Sequence, residues 1–304
     1  IPDLHGTWTL ITGPTGGLGF HTALELARRG SNLILAARNL ERAREVASKI
    51  HAAAPGIAID VEPLDLAELT SVRSACDLIR RDHKRIDVLI NNAGVMATPE
   101  RQTADGYELQ MGTNHIGHFA FTSKLWPLLV ESQTRIVTVS SLLHTSVKKV
   151  DLRAFDHAED PRRYRRWRAY GESKLANLLF SQELHRRTSE AGVGVVSVAA
   201  HPGFASTELQ TSGPTLGGRS ATSVGLGALT RAFAQPAHAG AWPILMAATT
   251  PMLAGGSYVG PGSMRQTRGA PRLVGMSSAA QSAQGAAELW AATEKAVGER
   301  FVVG

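Results

Sequence analysis

Short apolar runs alternate with longer amphipathic segments through the first two-thirds of the chain, and this alternation constrains the fold more than any other feature. The apolar runs fall at 8–12, 32–37, 57–64, 87–90, 135–140 and 193–200. Between them, segments 21–29, 40–53, 70–82, 114–130 and 170–190 carry apolar residues at helical spacing. Strands of Val, Ile and Leu without polar alternation are buried on both faces, so the sheet is parallel and lies between helices. The expected fold is α/β, a Rossmann-like doubly wound parallel sheet in three αβα layers. All 304 residues, 43% of them hydrophobic, are assigned to one domain.

The last third loses this rhythm. Residues 206–223 are rich in Gly, Ser, Thr and Pro, and 255–271 mixes Gly and Pro around a short strand candidate at 257–259, so loops are expected to dominate. No uninterrupted apolar stretch reaches the ~18 residues of a membrane span. With no secretory leader either, the expected location is cytoplasmic. The chain begins at Ile1 rather than Met, so the start of the gene product is expected upstream, and a short lost anchor stays open. The single cysteine, Cys76, reads as part of a helix face in a reducing compartment, not as a catalytic thiol. A net charge of +6 raises the question of an anionic partner.

The first strand runs into Thr12-Gly13-Pro14-Thr15-Gly16-Gly17-Leu18-Gly19 and then a helix. Glycines in that context let a backbone approach phosphates, and the helix N-terminus offers them unpaired N–H groups. The spacing Gly13, Gly17, Gly19, with Asn91-Asn92-Ala93-Gly94 ending the fourth strand, resembles the short-chain dehydrogenase/reductase family. The resemblance implies a nicotinamide cofactor held by Gly13, Thr15, Gly17, Leu18 and Gly19, and by Asn92, Ala93 and Gly94. After the second strand the chain has Arg38 where a carboxylate would accept from the ribose 2′-OH of NAD. Its guanidinium favours the 2′-phosphate of NADP(H), with Arg42 one turn later. Asp65 and Leu66 match the family position beside the adenine, while an Asp capping a helix that begins near Ala67 explains Asp65 equally well.

Tyr170-Gly171-Glu172-Ser173-Lys174 places Tyr170 and Lys174 on one helix face. With Ser141 at the end of the 135–140 strand and Asn114 in Thr113-Asn114-His115, the set resembles the family's catalytic four. By that resemblance Tyr170 exchanges the proton and Ser141 holds the carbonyl oxygen. Lys174 lowers the phenol's pKa and bonds the nicotinamide ribose, while Asn114 holds a water that completes a relay. Pro202 and Gly203 match the turn that bends over the nicotinamide, and Thr207 matches a hydroxyl contact to it. Tyr170 to Phe180 and His201-Pro202-Gly203 look most like the retinol-dehydrogenase and WW-domain-oxidoreductase branch, which also carries a long insert, here about 142–169.

The activity implied is NADP(H)-dependent interconversion of a ketone or aldehyde and an alcohol. A substrate lid is expected at about 204–235. Its Leu209, Leu216, Leu226 and Leu229 favour a small hydrophobic carbonyl or alcohol substrate. A non-catalytic NADP-binding sensor and a double-bond reductase are the rival readings on the same fold. Arg162, Arg163, Arg165, Arg166 and Arg168 surround Tyr164 and Trp167. The segment reads as a solvated insert with the two aromatics as inward anchors, so no nucleic-acid partner is expected. Surface contact with a membrane stays open. Neighbouring His115 and His118 lack a third ligand, so no metal is expected. Trp126-Pro127 and Trp242-Pro243 read as packing or helix-boundary features. A homo-oligomer built on the 114–130 and 170–190 helices is open, with the insert standing against it.

Overall fold

A computed structural model of the chain describes residues 1–155, 164–204 and 236–304. Thr207, Arg162, Arg163 and the leucines 209, 216, 226 and 229 lie outside the described residues, as does the expected lid beyond Phe204. The strands are β1 (Trp8–Thr12), β2 (Asn32–Ala37), β3 (Ile59–Pro63), β4 (Val88–Asn91), β5 (Arg135–Val139), β6 (Val196–Ala200), β7 (Tyr258–Ser263) and β8 (Arg268–Leu273). They form one sheet in the order β3-β2-β1-β4-β5-β6-β7-β8. Pairing is parallel from β3 through β7, and β8 runs antiparallel to β7. The order reverses between β1 and β4, which opens a crevice at the carboxyl ends of those strands.

Alternate residues of each strand feed opposite layers, as the two-residue period requires. Leu10, Ile34, Leu89, Ile136 and Ala199 join the core under α3 (Leu69–Asp82), α5 (Gly117–Glu131), α6 (Arg166–Ala191) and α8 (Ala283–Val297). Their neighbours Ile11, Leu33, Leu35, Ile90, Val137 and Val198 join the core under α1 (Gly17–Ala27), α2 (Leu40–Ala53) and α7 (Ala237–Thr249). A short α4 (Leu109–Met111) leads through a π-helical turn, Gly112–Ile116, into α5. The Rossmann-like three-layer fold expected from the sequence is therefore the observed one.

Three expectations are corrected. The 255–271 stretch is a β7–β8 hairpin, not mainly loop. Pro261 pairs with Pro271 beside a register shift, and β8 is the sheet edge, where a missing N–H costs no ladder bond. Both Trp-Pro pairs sit inside helices, α5 and α7, not at boundaries. Trp126 packs inward with Nε1 donating to the Val303 carbonyl, whereas Trp242 is exposed. In the insert, Tyr164 is an inward anchor, bonded to the Thr98 carbonyl, Glu108 and Gln110, while Trp167 is 49% exposed. The α5 and α6 face around Phe119 and Phe180 is covered from within the chain. The chain's own Trp290 from α8 stacks on Phe180 at 5.8 Å between ring centroids and meets Phe119 edge-on at 5.0 Å. Cys76 is buried in α3 with Sγ 3.6 Å from the Phe121 carbonyl, and burial pushes its thiol far above the ordinary range, so it is inert.

Candidate active site

The turn after β1 has the shape that only glycine permits. Gly13 has φ +65°, and a Cβ there would lie 2.9 Å from the Ala93 Cα. A Cβ on Gly19 would drive into the Gly13 carbonyl and sit 2.8 Å from Asn92 Nδ2. Asn92 Nδ2 donates to the Thr12 carbonyl at 2.8 Å, so the β4 end and the glycine turn are fastened to each other. Helix α1 then begins with neither an acidic residue nor a side-chain cap in its first turn. Its leading N–H groups thus have no side-chain acceptor to compete with an anion.

Thr12 Oγ1 is the hub beneath this turn. It accepts from Asn92 N at 3.0 Å and Ala93 N at 2.9 Å, and pairs with His118 Nε2 at 2.9 Å. The other ring nitrogen, His118 Nδ1, lies 2.9 Å from the Asn114 carbonyl and must donate to it. A neutral ring protonated at Nδ1 leaves Nε2 to accept the Thr12 hydroxyl proton, so every bond has one donor. Burial holds His118 down at about 4 and His115 at about 3, and both rings are neutral. Neither histidine belongs to a group of three or more metal-capable side chains among the described residues.

A cleft of about 450 Å³ runs from this turn across the ends of β1, β2 and β4. Gly13, Thr15, Gly17, Leu18, Gly19, Arg38, Asp65, Leu66, Asn92, Ala93 and Gly94 all line it. At its far end Arg38 is 76% exposed by side chain, with Nη1 3.9 Å from Asp65 Oδ2. Asp65 Oδ1 also accepts from Ala67 N at 2.9 Å, so this residue both borders the cleft and caps a local turn. Helix α3 itself starts two residues later than Ala67, at Leu69, whose N–H goes to Asp105. Val95, Met96 and Thr98 also line the cleft and were not singled out from sequence. Their one signal was that they directly follow Gly94.

At the carboxyl end of β5 the four remaining residues meet. Tyr170 and Lys174 are both buried on α6, with Lys174 Nζ 5.7 Å from the phenol ring centroid. Ser141 is the one side chain that draws the phenol's pKa down. Lys174 Nζ donates to the Val139 carbonyl at 3.1 Å. A Cβ placed on Gly94 would lie 3.0 Å from Asn114 Oδ1 and 3.6 Å from Lys174 Nζ, so Gly94 sits between those two groups. Both N–H donors of the Asn114 amide are taken, by the Val95 carbonyl and Ser173 Oγ, each at 2.9 Å. Its Oδ1 accepts from Val95 N at 2.8 Å. The amide expected to hold a relay water is thus committed mainly to protein groups.

The expected lowering of the phenol draws on Lys174 together with the cationic oxidised nicotinamide. Within the chain's own groups burial pushes Tyr170 up to about 12, opposed by Ser141. Burial likewise presses Lys174 down to about 8. Pro202 and Gly203 do not line the cleft. Gly203, at φ +68°, is wedged against Pro261 and the Thr267 carbonyl of the β7–β8 hairpin.

The family model described as short chain dehydrogenase matches residues 7–150, from β1 past Ser141. Retinol dehydrogenase 13 of Homo sapiens is 44% identical over 206 residues, 67% of this chain and 60% of that protein. A crystal structure of an uncharacterized protein from Mycobacterium Paratuberculosis is 39% identical, with a TM-score of 0.80 over 99% of this chain and 97% of that one. This chain belongs to the short-chain dehydrogenase family. It falls in the retinol-dehydrogenase-like branch, and it spans roughly three-fifths of the length of the curated relatives it matches. A short-chain dehydrogenase from Sphingobium yanoikuyae in complex with NADPH shares the fold, at 24% identity and TM-score 0.58 over 79% of this chain and 83% of that one. The glycine turn and the Asn92–Gly94 loop lie within the residues that the family model matches, and the cleft they line fits a dinucleotide. A Cβ on Gly13 would collide with Ala93 and one on Gly19 with the Gly13 carbonyl and Asn92, so both glycines are needed to pack the turn that a pyrophosphate approaches.

Proposed function

We propose that the protein is an NADP(H)-dependent oxidoreductase that interconverts a ketone or aldehyde and an alcohol, on a hydrophobic substrate. The observation that carries this reading is the buried Tyr170 phenol with Lys174 Nζ 5.7 Å from its ring centroid, on the next turn of the same helix, and with Ser141 drawing the phenol's pKa down. A bound nicotinamide would supply or accept the hydride. In the reducing direction Tyr170 gives its proton to the carbonyl oxygen as negative charge develops there. Ser141 donates a hydrogen bond to the same oxygen, one that strengthens as it becomes alkoxide-like. Lys174, whose ammonium is already pressed towards neutrality, replenishes or drains the phenol's proton.

Arg38 supports the choice of the phosphorylated dinucleotide. Its exposed guanidinium stands at the rim of the cleft, where a 2′-phosphate can take it in place of the 3.9 Å contact with Asp65. The experiment is NADPH oxidation, followed by absorbance, across a panel of apolar aldehydes and ketones, with Tyr170→Phe as the paired variant. Turnover in the wild type, lost in Tyr170→Phe while NADPH binding stays, is the expected result. Tight NADPH binding with no turnover on any carbonyl would overturn the reading in favour of a sensor. A saturated carbonyl product from an enone would favour double-bond reduction.

A further inference from the structure

Behind Ser141 lies a buried histidine that the chemistry above does not use. After Ser141 the chain enters a 3-10 turn, Leu142–Ser146, which folds the His144 ring back onto the serine it follows. His144 Nδ1 lies 2.7 Å from the Ser141 carbonyl, and the His144 backbone N–H donates to the same oxygen at 3.1 Å. The opposite ring nitrogen, Nε2, accepts the backbone N–H of Ser277 at 3.3 Å. Since a carbonyl can only accept and an amide N–H can only donate, the ring is neutral with its proton on Nδ1. Burial, with the side chain at 1% exposure, favours that form.

The ring's other surroundings are equally determined. Tyr258 on β7 meets it edge-on, 5.8 Å between centroids at 84°. The 3-10 turn is seated against α6 one residue beyond Tyr170: a Cβ on Gly171 would lie 2.8 Å from Ser146 Oγ and 2.9 Å from the Leu143 carbonyl. Ser277 belongs to the segment after β8, where it caps the 3-10 turn Ser278–Gln281 leading to α8. His144 therefore joins three parts of the chain: the end of β5, the α6 face that carries Tyr170, and the run-in to α8.

We propose that His144 is the positioning residue for Ser141, its ring fixing the serine's carbonyl against the Ser277 amide so that the hydroxyl is held towards Tyr170. The argument is one of constraint. Ser141 Oγ accepts from Leu143 N at 3.3 Å, so the hydroxyl is tied to the 3-10 turn and the freedom left to it is that of the turn that carries both residues. Two donors on one carbonyl oxygen remove that freedom before substrate arrives, and a preorganised donor costs no reorganisation during the reaction. The proposal rests on Ser141 acting in the reaction proposed above, and its test includes a measurement that does not need turnover.

Two variants separate the two ring nitrogens. His144→Asn places an amide N–H near the position of Nδ1 and gives up the Ser277 contact, while His144→Gln places an acceptor near Nε2 and gives up the donor to Ser141. The expected result is that His144→Gln lowers kcat by roughly tenfold or more, with the KM for NADPH unchanged, and that His144→Asn restores most of it. The second readout is the ring ¹³Cζ shift of Tyr170 at neutral pH, assigned among the four tyrosines by Tyr170→Phe. His144→Gln should move it towards its value in Ser141→Ala, and His144→Asn should not. A wild-type kcat and an unmoved Tyr170 signal in His144→Gln would overturn the proposal. So would His144→Asn being as impaired as His144→Gln, which would assign the ring's importance to Ser277 and the fold. If the wild type reduces no carbonyl, the proposed function falls, and the Tyr170 shift still decides the role of His144.

Discussion

The side chain of Asn114 bonds the backbone of Val95 in both directions, accepting from its N–H at 2.8 Å and donating to its carbonyl at 2.9 Å. The pair is the local equivalent of a strand pairing, made by a side chain. It ties the loop leaving β4, which forms one wall of the cleft, to the π-helical turn that precedes α5. Ser173 closes the arrangement, accepting from Asn114 and donating to the Tyr170 carbonyl at 2.8 Å.

Replacing Asn114 with Ala therefore strands the Val95 N–H and C=O at a half-buried place in the cleft wall. The expected loss is on the order of 2 kcal/mol in urea unfolding, together with weaker NADPH binding as the β4 loop loosens. Unchanged stability and binding would mean that water replaces the amide without cost.

Arg38→Asp should reverse cofactor preference. Removing one charge-assisted contact and adding a repulsive carboxylate is expected to raise the KM for NADPH roughly tenfold or more, while NADH is tolerated or improved. Steady-state rates with both cofactors check this, and retained preference for NADPH would remove Arg38 from the phosphate site.

Gly19→Ala tests the phosphate turn by sterics alone. The new methyl meets the Gly13 carbonyl and Asn92, so cofactor binding should be abolished, with a stability loss of about 1–3 kcal/mol from overpacking. Gly56→Ala is the control. Unlike Gly19 it has a positive φ, at +92°, but no atom lies within 4 Å of the added Cβ, so it should cost a modest amount of stability and no binding. Fluorescence titration with NADPH separates the two.

The buried histidines predict acid lability. Unfolded, each has a pKa near 6.5, while in the fold His118 is held at about 4 and His115 at about 3. Between those limits the unfolded chain binds more protons, so stability is fully present above pH 6.5 and is lost as pH falls towards 4. His115→Gln, which can keep a donor towards Thr293, should flatten that slope by about 1.4 kcal/mol per pH unit. Melting temperatures measured between pH 4 and 8 would show it.

Much of this was legible in the chain. The strand and helix runs are read within a few residues because continuous apolar runs mark the buried strands and a 3.6-residue period marks the helices. The exceptions are instructive. The β8 strand, Arg268–Leu273, was illegible because Gly269 and Pro271 have poor strand propensity and are tolerated only at an edge. The 3-10 turn after Ser141 and the start of α6 at Arg166 lay hidden in what reads as a single insert.

By itself the sequence determined the layered sheet, the glycine turn and the order in which Asn114, Ser141, Tyr170 and Lys174 arrive, because each depends on local spacing. Only the tertiary structure decided how these residues are surrounded. Thr12 meets His118 and His115 meets Thr293 across more than a hundred residues, and Trp290 covers Phe180. The desolvation of Tyr170 and Lys174 belongs to the same class, since a Tyr-x-x-x-Lys spacing places a cation near a phenol but says nothing of how much water the fold removes from both. Burial is a property of the whole packed chain, and here it raises the phenol and lowers the ammonium.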